Sequence, residues 1–130
     1  MLNLTLTLLN DSFTIHRLNP KTNVPATALD SSFFAITRTS DELSIVVPDT
    51  VEIQSEQSET GWAGFKVEGP LDFNLVGVLA GIATVLTDAK VSIFALPTFD
   101  TDYILIKRVQ VDAAKDALTS AGYRVREEKA

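Results

Sequence analysis

The residues best suited to chemistry fall in one stretch, residues 68–107, which reads EGPLDFNLVGVLAGIATVLTDAKVSIFALPTFDTDYILIK. Asp72, Asn74, Asp100 and Asp102 are acceptors that can meet an ammonium or another cationic group, and Ser92 and Thr98 add neutral hydroxyls. A helix expected to open near Asp72 would offer a carboxylate the free N–H groups of Phe73 to Leu75 and the positive end of its dipole. Such a set can hold both ends of a small zwitterion. Every member also has an ordinary structural use: Asp72 as a helix N-cap, Asn74 as first-turn surface, and residues 100–102 as a hairpin turn.

The remaining chemistry is sparse. The chain has no cysteine, so thiolate nucleophiles, disulfides and cysteine metal sites are excluded. His16 is the sole histidine, and no nucleophile stands at a recognisable spacing from it. It is expected on a strand, facing solvent. Neither catalytic residues, a metal nor a cofactor is expected. A net charge of -6, with no basic stripe around Trp62 or Tyr103, argues against nucleic acid as a partner. The best apolar run, residues 75–86, is too short to span a bilayer. The start, MLNLTLTLLN, lacks the basic region of a signal peptide, so a soluble, cytoplasmic protein is expected.

The elements that must position these side chains follow from periodicity. Leu2, Leu4, Leu6 and Leu8 alternate with polar residues, as do Phe13, Ile15 and Arg17, with the turn pair Asn10-Asp11 between them. This predicts a hairpin. Residues 25–29 suit a single helical turn, and residues 33–37 and 43–47 a second hairpin around Thr39 to Glu42. The polar run 49–61 is expected as a solvated loop between two halves, residues 1–60 and 61–130. Residues 62–67 read as a strand. Leu75, Val78, Leu79, Ile82, Val85, Leu86 and Ala89 form a helical stripe, with Gly77, Gly81 and Thr84 on the opposite, small-residue face. Residues 91–96 and 103–106 read as buried strands, residues 111–121 as a helix ended by Gly122, and residues 123–126 as a last strand. The order β-α-β-β-α-β is the split βαβ plan of a ferredoxin-like α+β fold, with both helices on one sheet face and the Pro97 strand at an edge. A shift of 60 residues places Phe34-Ala35-Ile36 on Phe94-Ala95-Leu96, which suggests that the N-terminal half is a related unit with reduced helices.

Residues 67–122 resemble an ACT domain. The resemblance is carried by Glu68-Gly69-Pro70-Leu71-Asp72-Phe73, by Leu75-Val76-Gly77-Val78-Leu79, by Ser92-Ile93-Phe94-Ala95, and by the string from Thr98 to Leu105. It is most similar to the subgroup shared by aspartate kinase regulatory regions and the CASTOR arginine-sensor family. Phe33 to Thr39 and Asp41 to Ser44 resemble the first half of small stand-alone members. The resemblance implies a tandem of ACT-like units, the N-terminal one reduced, with an amino acid held between units. Its site positions fall on Asp72, Phe73, Asn74 and Leu75 in the strand–helix loop, on Ser92 and Ile93 in the edge strand, and on Thr98 and Asp102 in the hairpin. Pro97 stands where a small hydroxyl residue is common. The implied activity is regulatory and non-catalytic, as a homodimer with a regulated protein partner. An interaction or scaffold protein that has lost the ligand is the alternative.

Overall fold

The computed structural model describes residues 4–69 and 76–129. The chain divides into two compact units, Met1–Asn10 with Ala63–Ala130, and Asp11–Trp62. Strand β1 (Thr5–Leu18) crosses this boundary without a break, as does β4 (Gln57–Val67). The expected hairpin at Asn10-Asp11 is therefore absent. The two residues are exposed positions inside one strand of 14 residues, and they mark where β1 leaves one core for the other. A turn pair is only a local preference, and pairing along the whole strand overrides it. Likewise the polar residues from Gln57 to Thr60, expected as loop, form the exposed start of β4. Without buried apolar residues on one face they carry no period-two signal.

In the smaller unit, α1 (Ala26–Leu29), β2 (Ala35–Arg38) and β3 (Leu43–Pro48) follow β1. Strand order there is β2-β3-β1-β4. β3 lies antiparallel to both β1 and β2, pairing Phe13↔Pro48 through Leu18↔Leu43, and Ala35↔Val46 through Arg38↔Leu43. Leu18, Ala28, Leu43, Ile45 and Val47 form its core, over which Val24, Ile36, Val51 and Ile53 pack.

In the larger unit, β4 leads to α2 (Val78–Asp88), β5 (Ile93–Pro97), β6 (Asp102–Lys107), a 3-10 turn (Arg108–Gln110), α3 (Val111–Ser120) and β7 (Arg124–Glu127). This is the expected β-α-β-β-α-β order. β5 ends the sheet, as Pro97 requires. One insertion modifies the plan: β7 pairs with β1 in parallel, Thr5↔Arg124 through Leu8↔Glu127, so β1 stands between β4 and β7. Val78, Ile82 and Leu86 of α2 and Val111, Ala114 and Leu118 of α3 share one core with Leu6, Phe65, Val67, Ile104 and Ile106, which puts both helices on the same face. Trp62 is buried. Among the described residues no helix is long and apolar enough to cross a membrane.

The small face of α2 is used within the chain. A Cβ at Gly81 would lie 3.1 Å from the Tyr123 hydroxyl, so close packing there is met by Tyr123 and needs no second molecule. Both helices end in the same way. Tyr123 N–H donates to Leu118 C=O and Gly122 N–H to Thr119 C=O, each at 3.0 Å; Val91 N–H donates to Leu86 C=O and Lys90 N–H to Thr87 C=O, each at 2.9 Å. These are Schellman pairs, whose C′ residue takes a left-handed conformation. Gly122 does so freely at φ 99°, but Lys90 is forced to φ 64°. Lys90→Gly is therefore expected to stabilise the protein by about 0.5–1 kcal/mol, the left-handed penalty less the entropy of an added glycine. Urea denaturation checks this, and a loss of stability would contradict it.

The two β-hairpins repeat each other's chemistry, in a frame one residue from that read in the sequence. A shift of 59 carries Ala35↔Val46 onto Phe94↔Leu105 and Arg38↔Leu43 onto Pro97↔Asp102. It also superposes two four-residue turns begun by threonine. Thr39 N–H donates to Glu42 C=O at 2.9 Å and Thr98 N–H to Thr101 C=O at 2.8 Å, and each threonine hydroxyl accepts the N–H of the fourth residue at 3.2 Å. At this shift α1 falls on the last four residues of α2, and the loop 49–56 falls on the 3-10 turn and the first half of α3.

Candidate functional site

The end of the larger unit that could meet a ligand is assembled by one buried hydroxyl. Thr101 is 6% exposed, and its Oγ1 donates to Val67 C=O at 2.6 Å. That bond ties the β5–β6 turn to the end of β4. Since β5 ends where β4 ends, α2 runs back between them and starts at this same end. Its N-cap is Gly77, in a left-handed conformation with no side-chain cap, rather than Asp72. The first helical bond is Gly81 N–H to Gly77 C=O at 2.8 Å, so the N–H groups outside the ladder are those of Val78, Leu79 and Ala80. They take the place expected for Phe73 to Leu75. Asp72, Phe73, Asn74 and Leu75 themselves lie outside the described residues.

The other expected site residues divide between two places. Thr98 and Asp102 flank the turn at this end. The Thr98 hydroxyl is engaged there, donating to Thr101 C=O at 2.8 Å. Asp102 is half-buried at the first position of β6, opposite Pro97. Ser92 and Ile93 stand at the other end of β5, about 16 Å away at ~3.3 Å per residue. Ser92 is exposed, and Ile93 packs on the core of its own unit. One copy of the chain therefore brings Thr98 and Asp102 to the start of α2 and leaves Ser92 and Ile93 apart. Sequence reasoning missed Thr101. Between two aspartates it reads as turn surface, and nothing in the pattern marks its hydroxyl as the tie to β4.

A second polar group sits just before this end, in a cleft of about 460 Å³. Thr7 Oγ1 donates to Glu68 Oε2 at 2.5 Å and accepts from Arg126 Nε at 2.9 Å, while Arg126 and Lys66 approach Glu68 at 3.4 and 3.9 Å. The Thr7 hydrogen bond, with the two cations, holds the Glu68 carboxyl below its ordinary value, against an opposing push from burial. The cluster satisfies itself: the one carboxylate at its centre already has its donors. Alternation in β1 suggests a solvated Thr7, and the structure buries it under these charges. Among the described residues no group of three or more acidic or histidine side chains could hold a metal ion.

Comparison with known proteins adds the family. The ACT domain model matches residues 57–120, and a model of an N-terminal domain matches residues 11–51. The structure of protein Atu0741 from Agobacterium tumefaciens is 33% identical with a TM-score of 0.92, over 100% of this chain and 97% of that one. This chain carries an ACT domain over residues 57–120. The ACT-domain fold is shared with the regulatory subunit of aspartate kinase from Thermus thermophilus, in a ligand-free form (13% identity, TM-score 0.63, 89% of this chain and 96% of that one). It is shared too with aspartate kinase from Clostridium acetobutylicum, described as an allosteric enzyme (15% identity, TM-score 0.66), where 86% of this chain matches 33% of that one. A search of curated proteins finds no match. The ACT match takes in the whole path from β4 through α3, and so every described residue at the α2 end.

Proposed function

We propose that this ACT-domain protein is a non-catalytic regulatory module that binds an amino acid at the α2 end of its larger unit. The observation that carries the reading is the Thr101–Val67 bond, which brings the Asp102 turn to the end where α2 begins at Gly77, a residue with no side chain to cap its N–H groups. A carboxylate would lie against the N–H groups of Val78 to Ala80, and Asp102 would meet the ammonium. The aspartate kinase regulatory subunit with this fold supports the regulatory role. The smaller unit is read as a reduced ACT-like counterpart, residues 1–60 against 61–130, in the manner of CASTOR-type tandems; the matching threonine turns support this.

Assembly follows from the edge. β5 pairs with β6 alone among the described strands, and an unpaired apolar edge invites a second copy. A two-fold homodimer through β5 would carry Ser92 and Ile93 of each chain toward its partner, giving them the role that a single copy denies them. A regulated protein partner, in the cytoplasm, completes the proposal. The rival reading is an interaction protein without a ligand. It is favoured by Pro97, which offers no N–H, and by the engaged Thr98 hydroxyl. A thermal-shift screen against the common amino acids separates the two. A ligand at 100 times its Kd stabilises by about 2.7 kcal/mol, whereas the rival predicts no shift with any of them. Light scattering giving a monomer mass at high concentration would remove the dimer.

A further inference from the structure

The smaller unit holds a histidine that the proposed function does not use. His16, expected at the surface, is 6% exposed. Its Nδ1 lies 2.8 Å from Ser55 Oγ, and its Nε2 is sealed from solvent with no hydrogen-bond partner among the described residues. Above it runs the loop 49–56, which at the 59-residue shift replaces the start of α3. An α-helix satisfies its own backbone and covers a sheet face evenly. This loop instead is pinned at separate points: Asp49 N–H to Ser12 C=O at 2.8 Å, Thr14 Oγ1 to Asp49 Oδ1 at 2.5 Å, Thr27 Oγ1 to Glu52 C=O at 3.4 Å, and Glu56 N–H to Arg17 C=O at 3.2 Å. Between loop and sheet lies a cleft of about 590 Å³, lined by Thr14, His16, Asp49, Glu52, Ser58 and Thr60 among others.

We propose that the loop 49–56 is an acid-released flap: proton uptake by His16 frees it from the sheet and opens the cleft beneath. An imidazolium carries an N–H at both nitrogens, and the sealed Nε2 offers its proton neither an acceptor nor water. Either the ring stays neutral or the flap lifts. The groups around the ring set the balance. Asp49 favours the cation, but its carboxylate is engaged by Thr14. Glu52 lines the cleft, Glu56 is paired with Arg17 at 3.4 Å, and Glu59 alternates to the other face from Ser58 and Thr60. Burial outweighs the pull of Asp49 and lowers the ring below its ordinary value of 6.5. Flap closure is therefore fully present above about pH 6.5 and is lost as pH falls through that value toward the lowered one. Release would bare Val51 and Ile53, which pack on the core of this unit.

Amide hydrogen exchange by NMR tests this on the intact chain. Protection factors at Val51 and Glu56, whose N–H groups are bonded to Pro48 and Arg17, should fall by at least about threefold between about pH 7.5 and about pH 5. Those of the β3 ladder should hold. His16→Gln should abolish the fall, since its amide does not titrate. Unchanged protection in wild type, a fall shared equally by β3, or a fall that persists in His16→Gln would overturn the proposal. Should the variant not fold, the His16 ring titration in wild type, followed beside the Val51 and Glu56 amides, decides: protection that falls with the ring's own midpoint supports the flap, and protection that falls at a different pH overturns it.

Discussion

Phe65→Ala should destabilise the protein by about 3–5 kcal/mol, the range for truncating a buried aromatic. Phe65 is 0% exposed in the strand that faces both helices, and the core around it includes Ile82, Leu86, Ile104, Ala114 and Leu118. Truncation removes the transfer free energy of a ring and leaves a cavity. The atoms around that cavity belong to two helices and to strands held in register, so they can relax only partly. Phe34→Ala is the control. Phe34 is 42% exposed, so its loss should cost well under half as much. Urea denaturation of the three proteins, with the m-value watched for a change in the denatured state, gives both numbers. A cost below about 1 kcal/mol for Phe65→Ala would mean that this face is not the packed core described here.

What the sequence reveals and what it hides divide along physical lines. The stripes of Val78, Ile82 and Leu86 and of Val111, Ala114 and Leu118, with the alternation of Ala63, Phe65 and Val67, are strongly periodic signals, and right-handed crossovers then put two helices on one sheet face. The errors come from local preferences that longer-range pairing overrides. Asn10-Asp11 is a good turn pair and still lies inside β1, because β3 and β7 pair with the strand on either side of it. Gln57 to Thr60 have no apolar face and still extend β4. Asp72 suits an N-cap, but the helix opens at Gly77, whose left-handed backbone turns the chain into the helix without a side chain to cap it. The 60-residue echo aligns residue types, while the hydrogen-bond register requires 59. Frames one residue apart exchange the two faces of a strand, and only the 59 frame carries the buried Ile45 and Val47 onto the buried Ile104 and Ile106. For the candidate site, residue type singled out Thr98 and Asp102, which the structure places on either side of one turn. The fold alone shows that Thr101 secures them, and that His16 is sealed beneath a loop.

Asp102→Ala should weaken amino-acid binding more than tenfold, a loss of about 1.5–3 kcal/mol for a hydrogen bond to a charged group. A zwitterion leaving water must have both ends met, because an unpaired charge in a partly dry site costs several kcal/mol. The N–H groups at the start of α2 can meet the carboxylate only. The ammonium needs an acceptor at the same end, and Asp102 is held there by the turn that Thr101 ties to Val67. Its carboxylate makes no hydrogen bond or ion pair among the described residues, so its removal should leave stability nearly unchanged. Thr101→Val provides the contrast. It should lower stability, by about 1–3 kcal/mol, because it orphans the buried Val67 carbonyl, and it should weaken binding only by loosening the turn. Calorimetry with whichever amino acid raises the melting temperature, run on wild type and both variants, separates the roles. Equal affinities in wild type and Asp102→Ala would remove Asp102 from the site while binding stands. A loss in Thr101→Val that exceeds the loss in Asp102→Ala would mean that the shape of the turn, rather than its carboxylate, holds the ligand.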